Sequence, residues 1–592
     1  MKKPFSLFLA ALLLLSAGWV TSCRKDPGQE DQKEPTDKFD PDAVITFSQD
    51  PKYNIGGEGG SVSVVFTCTG YWELEIPEDA SWLTSSVMSG DGSTKRQTFK
   101  LTAEANPDEA ERKAKLVLRA GEDKSEKITV TQAESVITIS PEEVPNLDKI
   151  YIPLEFRSMD MFRSDAKWSF LRSRQSEHFI VFWDIKYGSH GTVTPTEAKN
   201  SAMRVDIDDL LAKAEEFYDL NVNKLKFANP GNGQSVLDKY KMEIYLIYQS
   251  EWLATGSGYD NTIGALWVNP STCKPVGSTI GHEIGHCFQY MVFCDYLVRE
   301  GKSGNAASAS GLQGPGWRYG FGSNGDGGNC FWEQTAQWQS FQIDRYLGEA
   351  FTGWYGEYRT STHLHVLHER PRYADYFIHW WWVAENDDDV SFIGKLWNEA
   401  RYPEDPVETY MRLMGYDVAQ LNDSMYGYAS HMVTYDTDEI RALGTSHAGE
   451  MALSSASISK SDDWWTVKAS LAPETTGYNV VRMVLPEDGE VSVTLSGNLG
   501  VSGCVSGSAD LAGWRYGFVT LNSDNTRSYS PVWSATDEPQ TWEVPAGASK
   551  LWFVVTGAPT AYERHPWTDE SDDKDTKWPW KARFDGTKPY GK

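Results

Sequence analysis

The sequence predicts a multidomain chain in which two β-sandwiches flank an α+β middle. Three observations predict it. At 592 residues the chain exceeds what one hydrophobic core serves. Strand-type alternation fills residues 44–135 and returns over 456–592. Between them, over 136–455, β-forming runs are interspersed with apolar residues at helical spacing.

The chain opens "MKKPFSLFLAALLLLSAGWVTSC". Lys2 and Lys3 make a basic start, an apolar run of signal-peptide length follows, and small residues lead to Cys23. The run is short for a spanning helix. The "VTSC" end resembles a bacterial lipobox, with Thr21 a mild departure. The resemblance implies a lipoprotein signal peptide over 1–22, cleavage before Cys23 and acylation of that residue. It implies a lipid anchor at the bacterial outer membrane or cell surface. Residues 23–43 continue as "CRKDPGQEDQKEPTDKFDPDA". With almost no apolar content they predict a solvated, flexible tether.

Residues 44–135 carry "GGSVSVVFTC", "YWELEI", "RKAKLVLRAG" and "EKITVTQA", separated by Gly, Pro and Asp turns. The order "YWELEIPEDASWLT", "LTAEANPDEAERKAKLVL", "ITVTQAES" resembles the BACON domain. That family implies an immunoglobulin-like β-sandwich, with a carbohydrate- or mucin-binding role or a spacer role both compatible. Trp72 and Trp82 are read as core residues of the sandwich.

In the middle region "HFIVFWDIKYG" (178–188) and "YKMEIYLIY" (240–248) are strand candidates. "VDIDDLLAKAEEFYDL" (205–220) gathers Ile207, Leu210, Leu211, Ala214, Phe217 and Tyr218 on one helical face. "IGALWVNP" (263–270) is a further strand, ended by Pro270.

Then comes "STIGHEIGHCFQY" (278–290). On a helix, side chains at i and i+4 lie above one another, so His282 and His286 converge on one point as zinc ligands. Glu283 is rotated about 100° from His282, beside the metal rather than on it. There a carboxylate acts as base toward zinc-activated water. Ile280, Ile284, Cys287, Phe288, Met291 and Val298 form an apolar stripe expected to face a core opposite the histidines.

Zinc needs a third protein ligand. The HExxHxxGxxH pattern is ruled out, because the third-histidine position is Val292. Asp295 and Glu300 lie on the same helix and fold back poorly. Glu349 and Glu357 lie farther along, near an expected helix end. "NCFWEQTAQWQSFQIDRYL" (329–347) is helix-like and opens on Glu333. The region resembles a gluzincin-type zinc metallopeptidase domain, in which a glutamate on a following helix completes the site. The resemblance implies a zincin-like fold over 136–455, zinc as cofactor, and His282, His286 and Glu333 as its ligands. It implies Glu283 as the catalytic base and "IGALWVNP" as an edge strand that pairs with substrate backbone. The intervening stretch, with "GKSGNAASASGLQGPGWRYGFGSNGDGG", is longer than in compact gluzincins. An oxyanion stabiliser is expected; Tyr373 is the chosen catalytic candidate, with His365 and His379 beside it.

Residues 456–592 return to β-type runs, "WWTVKASL", "GYNVVRMVL", "EVSVTLSG" and "KLWFVVTGAP", a second sandwich for which carbohydrate binding is one reading. "GWRYGF" occurs at 316–321 and 513–518 without further alignment. "DESDDKD" (569–575) reads as a solvated loop, with calcium as a minor alternative. Six cysteines besides Cys23 show no CxxC spacing, and a Cys273–Cys330 disulfide is one option. The net charge of −28 argues against a nucleic-acid partner. The 24 Trp and 28 Tyr supply faces on which sugars stack where they are exposed. Two functions stay open: a surface zinc peptidase acting on protein or glycoprotein, and a noncatalytic glycan- or mucin-binding lipoprotein with a zincin-like fold.

Overall fold

The computed structural model describes residues 38–108, 110–302, 315–316, 330–368, 370–565 and 575–592. The signal peptide, Cys23, most of the tether, the Gly-rich stretch after 302, the first "GWRYGF" beyond Gly316, and the acidic run up to 574 lie outside the described residues. Two compact units are present, one ending at Ser135 and one beginning at Val136. No helix among the described residues is long and apolar enough to cross a membrane.

The first unit is built from two sheets. One orders Ile45–Phe47, Gly60–Cys68, Ser93–Ala103 and Leu83–Ser85, all antiparallel. The other orders Lys52–Ile55, Ser125–Gln132, Arg112–Arg119, Trp72–Glu75 and Ser89–Gly90, with the first pair parallel. Period-two alternation dictates which side chains turn inward: Ala114, Leu116 and Leu118 are buried while Lys113 and Lys115 are exposed. Trp72 is in the core, edge-on to Phe66 at 5.1 Å, with its indole N–H donating to Gln97 Oε1 at 2.8 Å. Trp82 is half-buried at the core's margin beneath the Arg112 guanidinium.

The second unit is centred on a five-stranded sheet ordered Ser173–Gln175, Phe179–Trp183, Met242–Leu246, Ile263–Val268, Ala254–Tyr259. Its three inner strands are parallel and its two edge pairs antiparallel. Parallel strands are covered on both faces, which explains why FIVFW is apolar throughout and MEIYL is apolar but for the buried Glu243. On one face lie Phe156, Trp168 and Phe170; on the other lie the helices. Helix α1, Ile207–Asp219, crosses between the first two parallel strands. The Asp206 carboxylate caps it by accepting from the Asp208 and Asp209 amides. All six residues of its expected apolar face are buried.

One expectation is corrected here. The strand Ile263–Val268 is internal, and the edge is Ala254–Tyr259. The edge sequence ATGSGY, rich in Gly and Ser, reads as loop. It forms a strand by pairing with Ile263–Val268 along its length, and its glycines at 256 and 258 are needed because α2, Ser278–Arg299, packs too closely there for a side chain. The proposed Cys273–Cys330 disulfide is also corrected: both are free, buried thiols.

Ten α-helices occur among the described residues. After them come two antiparallel sheets. The five-stranded one orders Ile458–Ser461, Trp464–Val467, Trp580–Asp585, Glu490–Gly497 and Pro539–Glu543. The four-stranded one orders Tyr478–Met483, Ala548–Gly557, Trp514–Asn522 and Arg527–Tyr529. Their inner faces share a core of Val481, Val493, Leu495, Phe518, Phe553 and Trp580. The outer face of the four-stranded sheet, with Tyr478, Val480, Val519, Trp552 and Val554, is buried in the same core as helix Val418–Met432. Double-sided burial makes Leu551–Val555 apolar without alternation.

Candidate metal centre

Helix α2 carries His282, Glu283 and His286, and all three are buried. The expected apolar stripe is buried except for Val298, which is half-buried, but so is most of the rest of the helix, including the histidine face. The correction has a steric cause. Gly281 faces the Phe217 ring on α1, and Gly285 faces α3, Cys330–Ser340. A Cβ at Gly285 would meet Gln339 Oε1 at 2.8 Å and Ala336 Cα at 3.1 Å. The glycines of "GHEIGH" thus let α1 and α3 close over the helix. The approach of α3 brings Glu333, in its first turn, to the imidazoles.

His282 Nε2 and His286 Nε2 are 3.0 Å apart. Glu333 Oε2 lies 3.2 Å from His282 Nε2, and its Oε1 lies 3.6 Å from His286 Nε2. Tetrahedral zinc with bonds of about 2.0–2.1 Å sets neighbouring ligand atoms about 3.4 Å apart. The two nitrogens and one carboxylate therefore fit a zinc ion in both donor type and spacing. Among the described residues, one other cluster of this kind exists, His368, His565 and Asp575.

His286 is oriented from behind. Its Nδ1–H donates to Gln289 Oε1 at 2.9 Å, which fixes Nε2 as the inward nitrogen. Gln289 Nε2 in turn donates to the Trp332 carbonyl at 3.0 Å and to Gln339 Oε1 at 3.2 Å. Gln339 Nε2 donates to Asn221 Oδ1 at 2.6 Å. This chain of amides ties the turn Leu220–Lys224, which follows α1, to α2 and α3. His282 Nδ1 is buried and has no hydrogen-bond partner among the described residues.

Burial disfavours a charged His286 ring, but the Glu333 carboxylate outweighs it, with smaller help from Glu283 and Gln289. The His286 pKa rises to about 9. Burial works against the Glu333 carboxylate as well, yet hydrogen bonds from the two imidazoles hold it far below the usual range.

His282, Glu283, His286 and Glu333 line one cavity of about 570 Å³. One wall is the edge strand, through Ala254, Thr255, Gly256 and Ser257; the indoles of Trp252, Trp332 and Trp354 contribute the rest of the apolar lining. Trp252 is 67% exposed. Tyr373 is outside this lining. Its ring lies 6.4 Å from that of Trp354, which stands edge-on to His282 at 6.2 Å. His379 is buried between Phe331 and Trp338, and its Nε2 pairs with Thr335 Oγ1 at 2.8 Å. His365 is buried beside Tyr562, also outside the lining.

Sequence reasoning missed Gln289, although it follows His286 at i+3 on the same face, where helical spacing makes it visible. It missed Gln339 and Asn221, whose partners are distant in sequence. Trp252 carried no local signal.

The family described as "Family of unknown function (DUF6055)" matches residues 142–591, and BACON, "Putative binding domain, N-terminal", matches residues 71–133. No curated protein matches the chain. Among solved structures, a Bacteroides ovatus GH5 xyloglucanase in complex with a XXXG heptasaccharide is 23% identical. The match covers 19% of this chain and 21% of that one, at a TM-score of 0.14. The C. elegans MSP family member WR4 is 11% identical over 15% of this chain and 97% of its own, at 0.12. The M60 catalytic domain with the CBM51-1 and CBM51-2 domains from Clostridium perfringens ZmpB is 9% identical over 90% of this chain and 73% of that one, at 0.20. Likenesses this low carry no argument about fold or activity.

Proposed function

We propose, for a chain that belongs to the DUF6055 family of unknown function, a zinc-dependent peptidase that hydrolyses amide bonds of protein or glycoprotein at a bacterial cell surface. One observation carries the reading. Two imidazoles and a carboxylate converge at zinc-ligand spacing, and a fourth group, Glu283, lines the same cavity without belonging to that cluster.

His282, His286 and Glu333 would hold the ion. Zinc, when bound, supplies Lewis acidity and lowers the pKa of water to about 7. Glu283 takes the proton from the attacking water and returns it to the leaving amine. Among the described residues the edge strand Ala254–Tyr259 pairs with one strand, and an extended substrate would pair along its other side. Trp252, at the cavity rim, offers a flat face to a sugar ring or an aromatic side chain of the substrate. The match of residues 71–133 to a putative binding domain favours, as a second role, attachment to glycan or mucin through the N-terminal unit. Acylation of Cys23 would hold the chain at the membrane.

The deciding experiment compares Glu283→Gln with Glu333→Ala. Glu283→Gln is expected to keep zinc near one equivalent at this centre and to lose casein or mucin hydrolysis by a factor of about 10² or more. Glu333→Ala is expected to lose the metal. A Glu283→Gln chain with full activity defeats the reading, as does a wild-type chain with no zinc at this centre.

A further inference from the structure

A second cluster lies apart from the cavity. His368 is in the turn that follows helix Tyr355–Ser361, within "HLHVLH". His565 follows the strand Ala548–Gly557, and Asp575 precedes the strand Trp580–Asp585. All three are buried, with His565 6% and Asp575 5% exposed. One ligand atom from each lies within 4.8 Å of the others.

The contacts are short but wrongly shaped for hydrogen bonds. Asp575 Oδ2 is 3.0 Å from His565 Nδ1 and 3.5 Å from His368 Nε2. Yet Asp575 Oδ2 and both ring nitrogens of His565 have no hydrogen-bond partner among the described residues. An imidazolium–carboxylate pair would align an N–H with the oxygen. Co-ligands of one ion do not align, because each aims its lone pair at the ion. Their separations also match the spacing of about 3.4 Å between ligand atoms on tetrahedral zinc.

The nearest cation in the sequence among the described residues does not serve Asp575. Lys577, two residues on, is committed to Glu474 Oε1 at 2.7 Å, and Glu474 Oε2 accepts from the His365 amide at 2.7 Å. The His365 ring stacks on His565 at 5.8 Å and steadies it. A buried carboxylate is costly unless a cation compensates it.

We infer that His368, His565 and Asp575 form a second metal site for a divalent ion of the zinc class. Imidazole donors select this class over calcium or magnesium, which take oxygen ligands. The site is structural. It joins the turn after helix Tyr355–Ser361 to the C-terminal sheets, and it lines no part of the catalytic cavity. Metal binding of this kind adds to folding stability.

The test removes the first centre and counts what remains. The full chain carrying His282→Ala and His286→Ala is stripped with a chelator, reloaded with zinc alone, desalted and analysed for metal. It is expected to hold one equivalent, and zinc is expected to raise its unfolding midpoint. Adding His565→Ala or Asp575→Asn is expected to reduce the content to zero and abolish the rise. A double-alanine chain that binds no zinc overturns the site, as does an Asp575→Asn chain that still binds one equivalent. Should the added substitutions prevent folding, the double-alanine chain decides alone, by holding one zinc with a raised midpoint or none. Because that chain lacks the first centre, the outcome is independent of the proposed peptidase activity.

Discussion

Gly256→Ala probes how closely the edge strand is held to the helix that bears the proposed chemistry. A Cβ at Gly256 would stand 2.9 Å from His286 Cβ and closer still to the Glu283 carbonyl oxygen. The Glu283 oxygen, at 2.0 Å, sets the movement: a Cβ is not tolerated closer than 3.0 Å, so strand and helix must part by about 1 Å. Neither neighbour is a flexible side-chain end that can swing aside. Overpacking of this sort costs about 1–3 kcal/mol. It also moves a substrate-pairing strand relative to His286 and Glu283, and a misplacement of about 1 Å lowers turnover by about 10²-fold. The assay is urea unfolding together with kcat/KM on a casein-derived peptide and zinc content by elemental analysis. Stability is expected to fall, turnover to drop steeply, and zinc to remain. Gly356→Ala is the control, since a Cβ there has no neighbour within 4 Å and the position lies within helix Tyr355–Ser361. Helix propensity predicts it to be neutral or stabilising by up to about 1 kcal/mol. Unchanged stability and turnover in Gly256→Ala would refute the close apposition of strand and helix.

Gln289→Leu removes the group that orients His286 and is expected to weaken zinc affinity about 10- to 100-fold, read by competition with a chelating dye; unaltered affinity contradicts the role. Cys23→Ala is expected to shift the protein from the membrane to the soluble fraction, and retention after a salt wash counts against the lipid anchor. A chain without residues 44–135 is expected to keep peptide turnover, because a compact-unit boundary falls at Ser135, and loss of turnover in a folded chain counts against that. Glu243 is fully buried on the central sheet; burial pushes its carboxyl up to about 8, against the hydrogen bond donated by Tyr245. Between about pH 4.5 and 8 the folded chain therefore holds a proton that the unfolded chain releases, and stability falls as pH rises. Glu243→Gln is expected to remove that fall, gaining on the wild type by about 1.4 kcal/mol per pH unit across the window; parallel stability curves exclude it.

The residues legible in the sequence were those whose spacing is local. The face of α1 and the pair His282 and His286 follow from helical periodicity, and "HEIGH" needs no tertiary information to be noticed. Glu333 was reached through a family pattern together with its place at the start of a helix-like run, Glu349 and Glu357 lying near an expected helix end. The edge strand was illegible for a physical reason: Gly256 and Gly258 interrupt the pattern of β-formers because α2 leaves no room for a side chain at either. His368, His565 and Asp575 come from three distant stretches, so no spacing rule joins them. Tyr373 was chosen by residue type, and residue type does not fix its distance from the cavity.

The sheet formed by Tyr478–Met483, Ala548–Gly557, Trp514–Asn522 and Arg527–Tyr529 serves as floor for one layer and wall for another. Modules that are shuffled between genes carry a wet outer surface, so that a cut in the linker exposes nothing apolar. A cut near residue 455 would instead bare Val480, Val519, Trp552 and Val554 on one side and the matching face of helix Val418–Met432 on the other. Each fragment would carry an adhesive patch, prone to self-association. The helical layer and the C-terminal sheets are therefore bound to be inherited together, and to melt together, whereas the N-terminal unit, with a core of its own, is free to be exchanged.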